Sequence, residues 1–233
     1  MFKLYKKDEL NFALVCILLY CLVTIPIRGN FGDNSFLMFM SLTLIAIFIT
    51  IFVNKYKLFD KYGLSSFPKN PGKFLYFIPI WILTTGNLWK GFALSYSSFG
   101  QFWATLSMIL IGYIEEIIFR GFLFKSMLSK YAVRKSIIVV SISFGMGHIV
   151  NLLAGQASVE TVAQIVFAIA WGFMLTITFY KSKSLWPCII AHSLVDAFSV
   201  YGLEATEMQW TYIIASIIIS IFYCNYLLKI KEG

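Results

Sequence analysis

Apolar residues run along this chain in stretches long enough to cross a bilayer, broken by short polar connections. A helix that spans the hydrocarbon needs roughly 20 predominantly apolar residues. About eight stretches approach that length: 10–27, 35–53, 74–89, 102–119, 137–153, 162–180, 185–200 and 210–228. The third and seventh are short, and the fourth carries charge. The pattern predicts an all-α fold, a polytopic membrane helix bundle that forms a single integral-membrane domain over residues 1–233. No internal repeat or low-complexity run divides it, and no secretory cleavage pattern follows the first span, which therefore reads as a permanent helix.

Composition narrows the picture. The chain is 59% hydrophobic and 13% charged, against about 45–50% apolar and about a quarter charged for a soluble domain. One core could not bury this many apolar side chains and still present a polar surface, so a soluble enzyme is excluded. The formal charge of +8 is a matter of topology. Lys3, Lys6 and Lys7 precede the first span; Lys55, Lys57, Lys61, Lys69 and Lys73 fill the second connection; Arg120, Lys125, Lys130, Arg134 and Lys135 fill the fourth; Lys181 and Lys183 fill the sixth; Lys229 and Lys231 follow the last. These are 17 of the 19 basic residues, leaving Arg28 and Lys90 for the opposite face. Cytoplasmic connections carry such an excess. Both termini are expected in the cytoplasm, in a multi-pass protein of a bacterial cytoplasmic membrane, and no nucleic acid is needed to explain the charge. Cys16, Cys21, Cys188 and Cys224 all fall within spans without a CxxC pair and read as small packing residues. The connection 55–73, with Pro68, Pro71 and Gly72, reads as a cytoplasmic loop without recognisable chemistry.

Charge inside a membrane costs roughly 2.5–3.5 kcal/mol per residue on insertion scales, so the few ionisable groups within spans need a partner or a purpose. They are Glu115, Glu116 and Arg120 in the fourth span, His148 in the fifth, and His192 with Asp196 in the seventh; the two histidines are the only ones in the chain. Adjacent Glu115 and Glu116 point about 100° apart on a helix. Glu116 precedes Arg120 by four residues, the favourable order for an ion pair, which leaves Glu115 to project into the bundle. The plainer reading is that both glutamates mark a helix end. Phe144 and His148 share a helix face, with Gly145 and Gly147 permitting close helix approach; alone, such a histidine is a helix-to-helix hydrogen-bonding residue. His192 and Asp196 again share a face at i, i+4, and could simply satisfy each other. Counted from the nearest basic residue at 1.5 Å per residue, Glu115 lies about 8 Å in, His192 about 13 Å and His148 about 20 Å. The first two fit one site in the cytoplasmic half; His148 is too deep for it.

Glu115-Glu116-Ile117-Ile118-Phe119-Arg120, then Phe144 with His148, then His192 with Asp196 follow the order EExxxR, FxxxH, HxxxN/D. In this the chain resembles the CPBP family, the intramembrane CAAX-protease and bacteriocin-processing (Abi) enzymes, over about residues 100–205. The resemblance implies an intramembrane endopeptidase cutting a hydrophobic peptide or membrane-protein substrate near the cytoplasmic face. By motif, Glu115 is the general base for the attacking water, His148 helps to hold that water, and His192 with Asp196 lies by the carbonyl oxygen. Glu116, Arg120 and Phe144 support them.

An ionised Asp only accepts hydrogen bonds, so Asp196 must be protonated, orient His192, or help bind a metal. The family is commonly labelled a metalloprotease, with zinc the cofactor and Glu115, His148 and His192 the candidate ligands. No HExxH signals such a site, and metal-independent water activation is the preferred expectation. Processing of a bacteriocin, pheromone or leader peptide fits the Lys, Ile, Phe and Tyr richness of an AT-rich bacterial genome. Two other functional classes are a non-catalytic partner of the same fold, in self-immunity or modulation of a sensor kinase, and a proton-relay transporter. A transporter is disfavoured by the missing repeat.

Overall fold

The computed structural model describes residues 2–153, 155–203 and 206–230; Lys231, one of the charges used to orient the chain, lies outside them. Asp8 separates α1 (Phe2–Lys7) from α2 (Glu9–Phe31). Its carboxylate accepts from the backbone N–H groups of Leu10 at 2.9 Å and Asn11 at 3.2 Å, which start α2 by satisfying donors that have no partner within the helix. The same carboxylate pairs with Lys130 at 2.8 Å, and the Lys130 hydrogen bond holds Asp8 below the usual carboxylate range. After Gly32, which ends α2 at φ 79°, Ser35 caps α3 (Phe36–Lys55) by accepting from the N–H of Met38 at 3.1 Å. Short α4 (Pro71–Phe74) and α5 (Phe77–Thr84) lead to α6 (Ser98–Lys130), α7 (Val133–Leu152), α8 (Ser158–Ser182), α9 (Trp186–Ser199) and α10 (Thr206–Lys229). Among the described residues there are no strands beyond one isolated bridge between Phe92 and Gly202.

Among the described residues six helices are long and apolar enough to cross a membrane: α2, α3, α6, α7, α8 and, from Gln209, α10. Leu18, Leu22, Leu44, Ile51, Ile214 and Phe222 project outward from them, each more than half exposed. That distribution is the reverse of a soluble surface and makes this a multi-pass membrane protein. The other two expected spans are shorter helices. α5 has 8 residues and follows the proline-rich connection; α9 has 14 and begins at Trp186-Pro187. At 1.5 Å per residue α9 covers about 21 Å, less than the hydrocarbon thickness of about 30 Å. It is tolerated because it is enclosed by other helices, with Ile189, His192 and Val195 buried.

The bundle has two distinct ends. At one, Lys61 pairs with Glu9, Lys130 with Asp8, and Lys181 donates to the carbonyl of Ile230. The connection 55–73, expected as a plain loop, is fastened here: Gly63 accepts from the Leu185 N–H at 2.8 Å, Ser184 Oγ donates to the Ser66 carbonyl at 2.8 Å, and the Trp186 indole donates to the Leu64 carbonyl at 3.0 Å. Above it Tyr5, Phe12, Phe52, Tyr62 and Phe122 pack edge to face, and the Tyr62 hydroxyl donates to that of Tyr5. The opposite end is held by Arg28, which pairs with Asp33 at 2.8 Å and donates to Asn151 at 3.1 Å. Gln101, donating to the Val200 carbonyl at 2.7 Å, ties α6 to the residue after α9.

Helix approach is closest where side chains are missing. A Cβ on Gly112 would lie 2.5 Å from the Ser193 nitrogen, so α6 meets the α9 backbone directly. Gly145 and Gly172 do the same between α7 and α8: a Cβ would come 2.8 Å from the Ile169 nitrogen and 2.8 Å from the Ser141 carbonyl oxygen, respectively. Gly147 plays no such part, since only the Phe119 ring would stand near its Cβ, at 4.0 Å. Gly112→Ala is therefore expected to push α9 away from α6 and to cost about 1–3 kcal/mol, read as a lower thermal midpoint in detergent.

Candidate active site

The two glutamates stand where α6 changes pitch. After Glu116 the helix runs as π-helix over Ile117–Phe124 and then resumes as α-helix, and all eight residues of that segment are buried. Such widened turns are rare and recur at functional sites. Arg120 sits within it, 0% exposed, and donates from Nη1 to Glu116 Oε1 at 2.7 Å. Phe144 covers the guanidinium, with its ring centroid 4.1 Å from Cζ. Arg120 is therefore no loop charge, as the basic-residue pattern suggested, because α6 continues past it to Lys130.

Glu116 Oε1 accepts a second time. His192 Nδ1 approaches it at 2.8 Å, so the buried ion pair also fixes the imidazole. The other ring nitrogen, Nε2, is 3.3 Å from Asp196 Oδ2 and 3.9 Å from Glu115 Oε2. Glu115, turned away from Glu116 as helix geometry requires, accepts from the Tyr20 hydroxyl on α2 at 2.9 Å. Phe144 stands edge-on to Phe119, His148 and His192, with ring centroids 5.2, 5.7 and 5.4 Å away, and so spaces the histidines.

Glu115, His148 and Asp196 line one cavity of about 410 Å³, with Phe144 in its wall and Tyr20 and Cys21 on the α2 side. The His192 side chain is 6% exposed and that of Asp196 27%. The sequence constellation thus meets at a single place. Its depth, however, had been counted from the wrong end. His148 lies four residues from the end of α7 at Leu152, and the cavity continues from it to Arg28, Asp33 and Lys90, away from the basic connections. His148 is shallow, and Glu115 lies further in. Two contacts escaped sequence reading, which gave the first helices only topology: the Tyr20–Glu115 hydrogen bond and the Glu116–His192 link. A lone tyrosine in an apolar helix carries no signal of a partner 95 residues away.

Among the described residues no group of three His, Cys, Asp and Glu is gathered so that it could hold a metal ion, and both nitrogens of His192 face carboxylates. As they stand here, the candidate ligands Glu115, His148 and His192 are not gathered as a ligand set. The four cysteines are free. Together these groups set a fixed imidazole beside Glu115, a carboxylate that lines a partly polar cavity, an arrangement suited to activating water against a carbonyl.

Residues 97–198 match the family model described as type II CAAX prenyl endopeptidase Rce1-like. The match includes Glu115, Glu116, Arg120, Phe144, His148, His192 and Asp196. No curated protein and no solved structure matches the chain.

Proposed function

We propose that this chain, whose residues 97–198 match the family model of type II CAAX prenyl endopeptidase Rce1-like proteins, is an intramembrane endopeptidase that hydrolyses a peptide bond in a hydrophobic or membrane-associated peptide. The observation that carries the reading is the facing of Glu115 Oε2 and His192 Nε2 across 3.9 Å on one side of the cavity. That gap is long for a direct hydrogen bond and accepts a bridging water. Glu115 takes a proton from the water while its oxygen attacks the scissile carbonyl. The C–N bond then breaks, and the proton held by Glu115 passes to the departing amine.

His192 stabilises the oxyanion by donating from Nε2, and Glu116 behind it keeps Nδ1 engaged. Asp196, at 3.3 Å from the same Nε2, orients the ring and is not itself the oxyanion donor, which accommodates an aspartate where the motif also allows Asn. His148 holds the water or the substrate carbonyl from the opposite wall. Leader peptides, pheromone precursors and bacteriocin-like peptides are the substrate class.

Incubation of the purified protein with such precursors, followed by mass spectrometry, tests the reading. His192→Ala should lower the cleavage rate by about 10²-fold or more, and a chelator should leave the wild-type rate unchanged. Loss of cleavage on chelation with recovery on adding zinc would overturn the metal-independent step. An undiminished cellular phenotype in His192→Ala and His148→Ala at normal abundance would leave a non-catalytic membrane partner as the answer.

A further inference from the structure

We infer that the active-site cavity opens on the non-cytoplasmic face of the membrane, so that the substrate is a hydrophobic segment cleaved in the outer half of the bilayer or after export; this rests on the protease reading above. Two independent features carry the inference. One is the charge distribution. The bundle end formed by α1, the connection 55–73, the α6–α7 and α8–α9 connections and the end of α10 holds nearly all of the lysines and arginines, and such an end stays in the cytoplasm. The opposite end holds Arg28 and Lys90, and Arg28 is already paired with Asp33.

The other feature is the course of the cavity. From Glu115 it passes His148 and Asp196 and reaches Arg28, Asp33, Lys90, Gln156, Glu160 and Ser199, all at the charge-poor end. No residue of the basic connections lines it. Toward those connections lie wholly buried side chains, among them Phe124, Leu185 and Cys188, each 0% exposed. Below them lies the fastened 55–73 connection. The lining of this cavity thus reaches the charge-poor end and not the basic one.

The mouth carries both signs of charge, Arg28 and Lys90 with Asp33 and Glu160. It therefore has no preference for a charged substrate, and selection falls on apolar segments that the bilayer delivers. An endopeptidase so oriented acts downstream of translocation: the class of step that supplies its substrate is export or membrane insertion of the precursor.

Thiol labelling in membrane vesicles decides the matter without reference to catalysis. Ser199→Cys places a thiol at the cavity mouth, and Ser66→Cys places one in the fastened connection; both positions are exposed. With a membrane-impermeant maleimide and the wild-type protein as background, Ser199→Cys should label in right-side-out vesicles and Ser66→Cys only in inverted ones. The reverse pattern, or labelling of both from the same face, overturns the inference. Glu115→Gln added to each variant should give the same pattern, so a failure of the protease reading would appear in the cleavage assay and leave the labelling result standing.

Discussion

Glu115→Gln should remove peptide cleavage, by about 10²–10⁴-fold in rate, while folded protein remains at the wild-type level in the membrane. The substitution keeps the size and shape of the side chain, and an amide still accepts from the Tyr20 hydroxyl through its oxygen. What is lost is the proton acceptor facing His192 Nε2 across 3.9 Å. Glu115 lines the cavity and carries no ion pair with Arg120, so little of the fold depends on its charge. Cleavage measured on purified protein, normalised to a thermal midpoint in detergent, checks both halves. A variant that keeps half of the wild-type rate would exclude Glu115 as the base.

Arg120→Met should have the opposite signature, with the protein itself lost from the membrane. Removing the guanidinium leaves Glu116 as a wholly buried carboxylate with His192 as its remaining side-chain partner. Breaking a buried pair in this way costs about 3–5 kcal/mol, a large part of the roughly 5–15 kcal/mol that holds a typical domain together. Glu116→Gln strands the partner charge and should likewise reduce abundance more than Glu115→Gln does. The double variant Glu116→Gln/Arg120→Met removes both charges and should recover abundance, since an uncharged pair of similar volume is tolerated. It should not recover cleavage, because the carboxylate that fixes His192 is gone. Equal loss of abundance from Glu115→Gln and Glu116→Gln would mean that the two glutamates do not divide their work between the site and the fold.

The pairing of Glu116 with Arg120, and the turning of Glu115 away from it, were legible in the sequence because they rest on local helix geometry, 100° per residue and a four-residue spacing. For the same reason Phe144 with His148 and His192 with Asp196 could be paired by spacing alone. The long spans were legible from their apolar runs, and the short third and seventh stretches already hinted at α5 and α9. What could not be read was contact between distant segments. Nothing around Tyr20 points to Glu115, and nothing around His192 points to Glu116. His148 reads as too deep because its distance is counted from Lys135, at the end of α7 that the cavity does not reach. A buried arginine and a loop arginine look alike in a sequence until the partner in space is known.

One oxygen, Glu116 Oε1, receives both Arg120 at 2.7 Å and His192 at 2.8 Å. This makes the inheritance of the site asymmetric. On the proposed mechanism, a descendant of this chain with a purely associative role can discard Glu115 freely, yet losing Glu116 or Arg120 endangers the bundle. The second glutamate and the arginine are therefore poor indicators of activity in related chains, and the first glutamate is the informative one. A chain with the motif altered only at its first position is expected to be folded, membrane-inserted and silent.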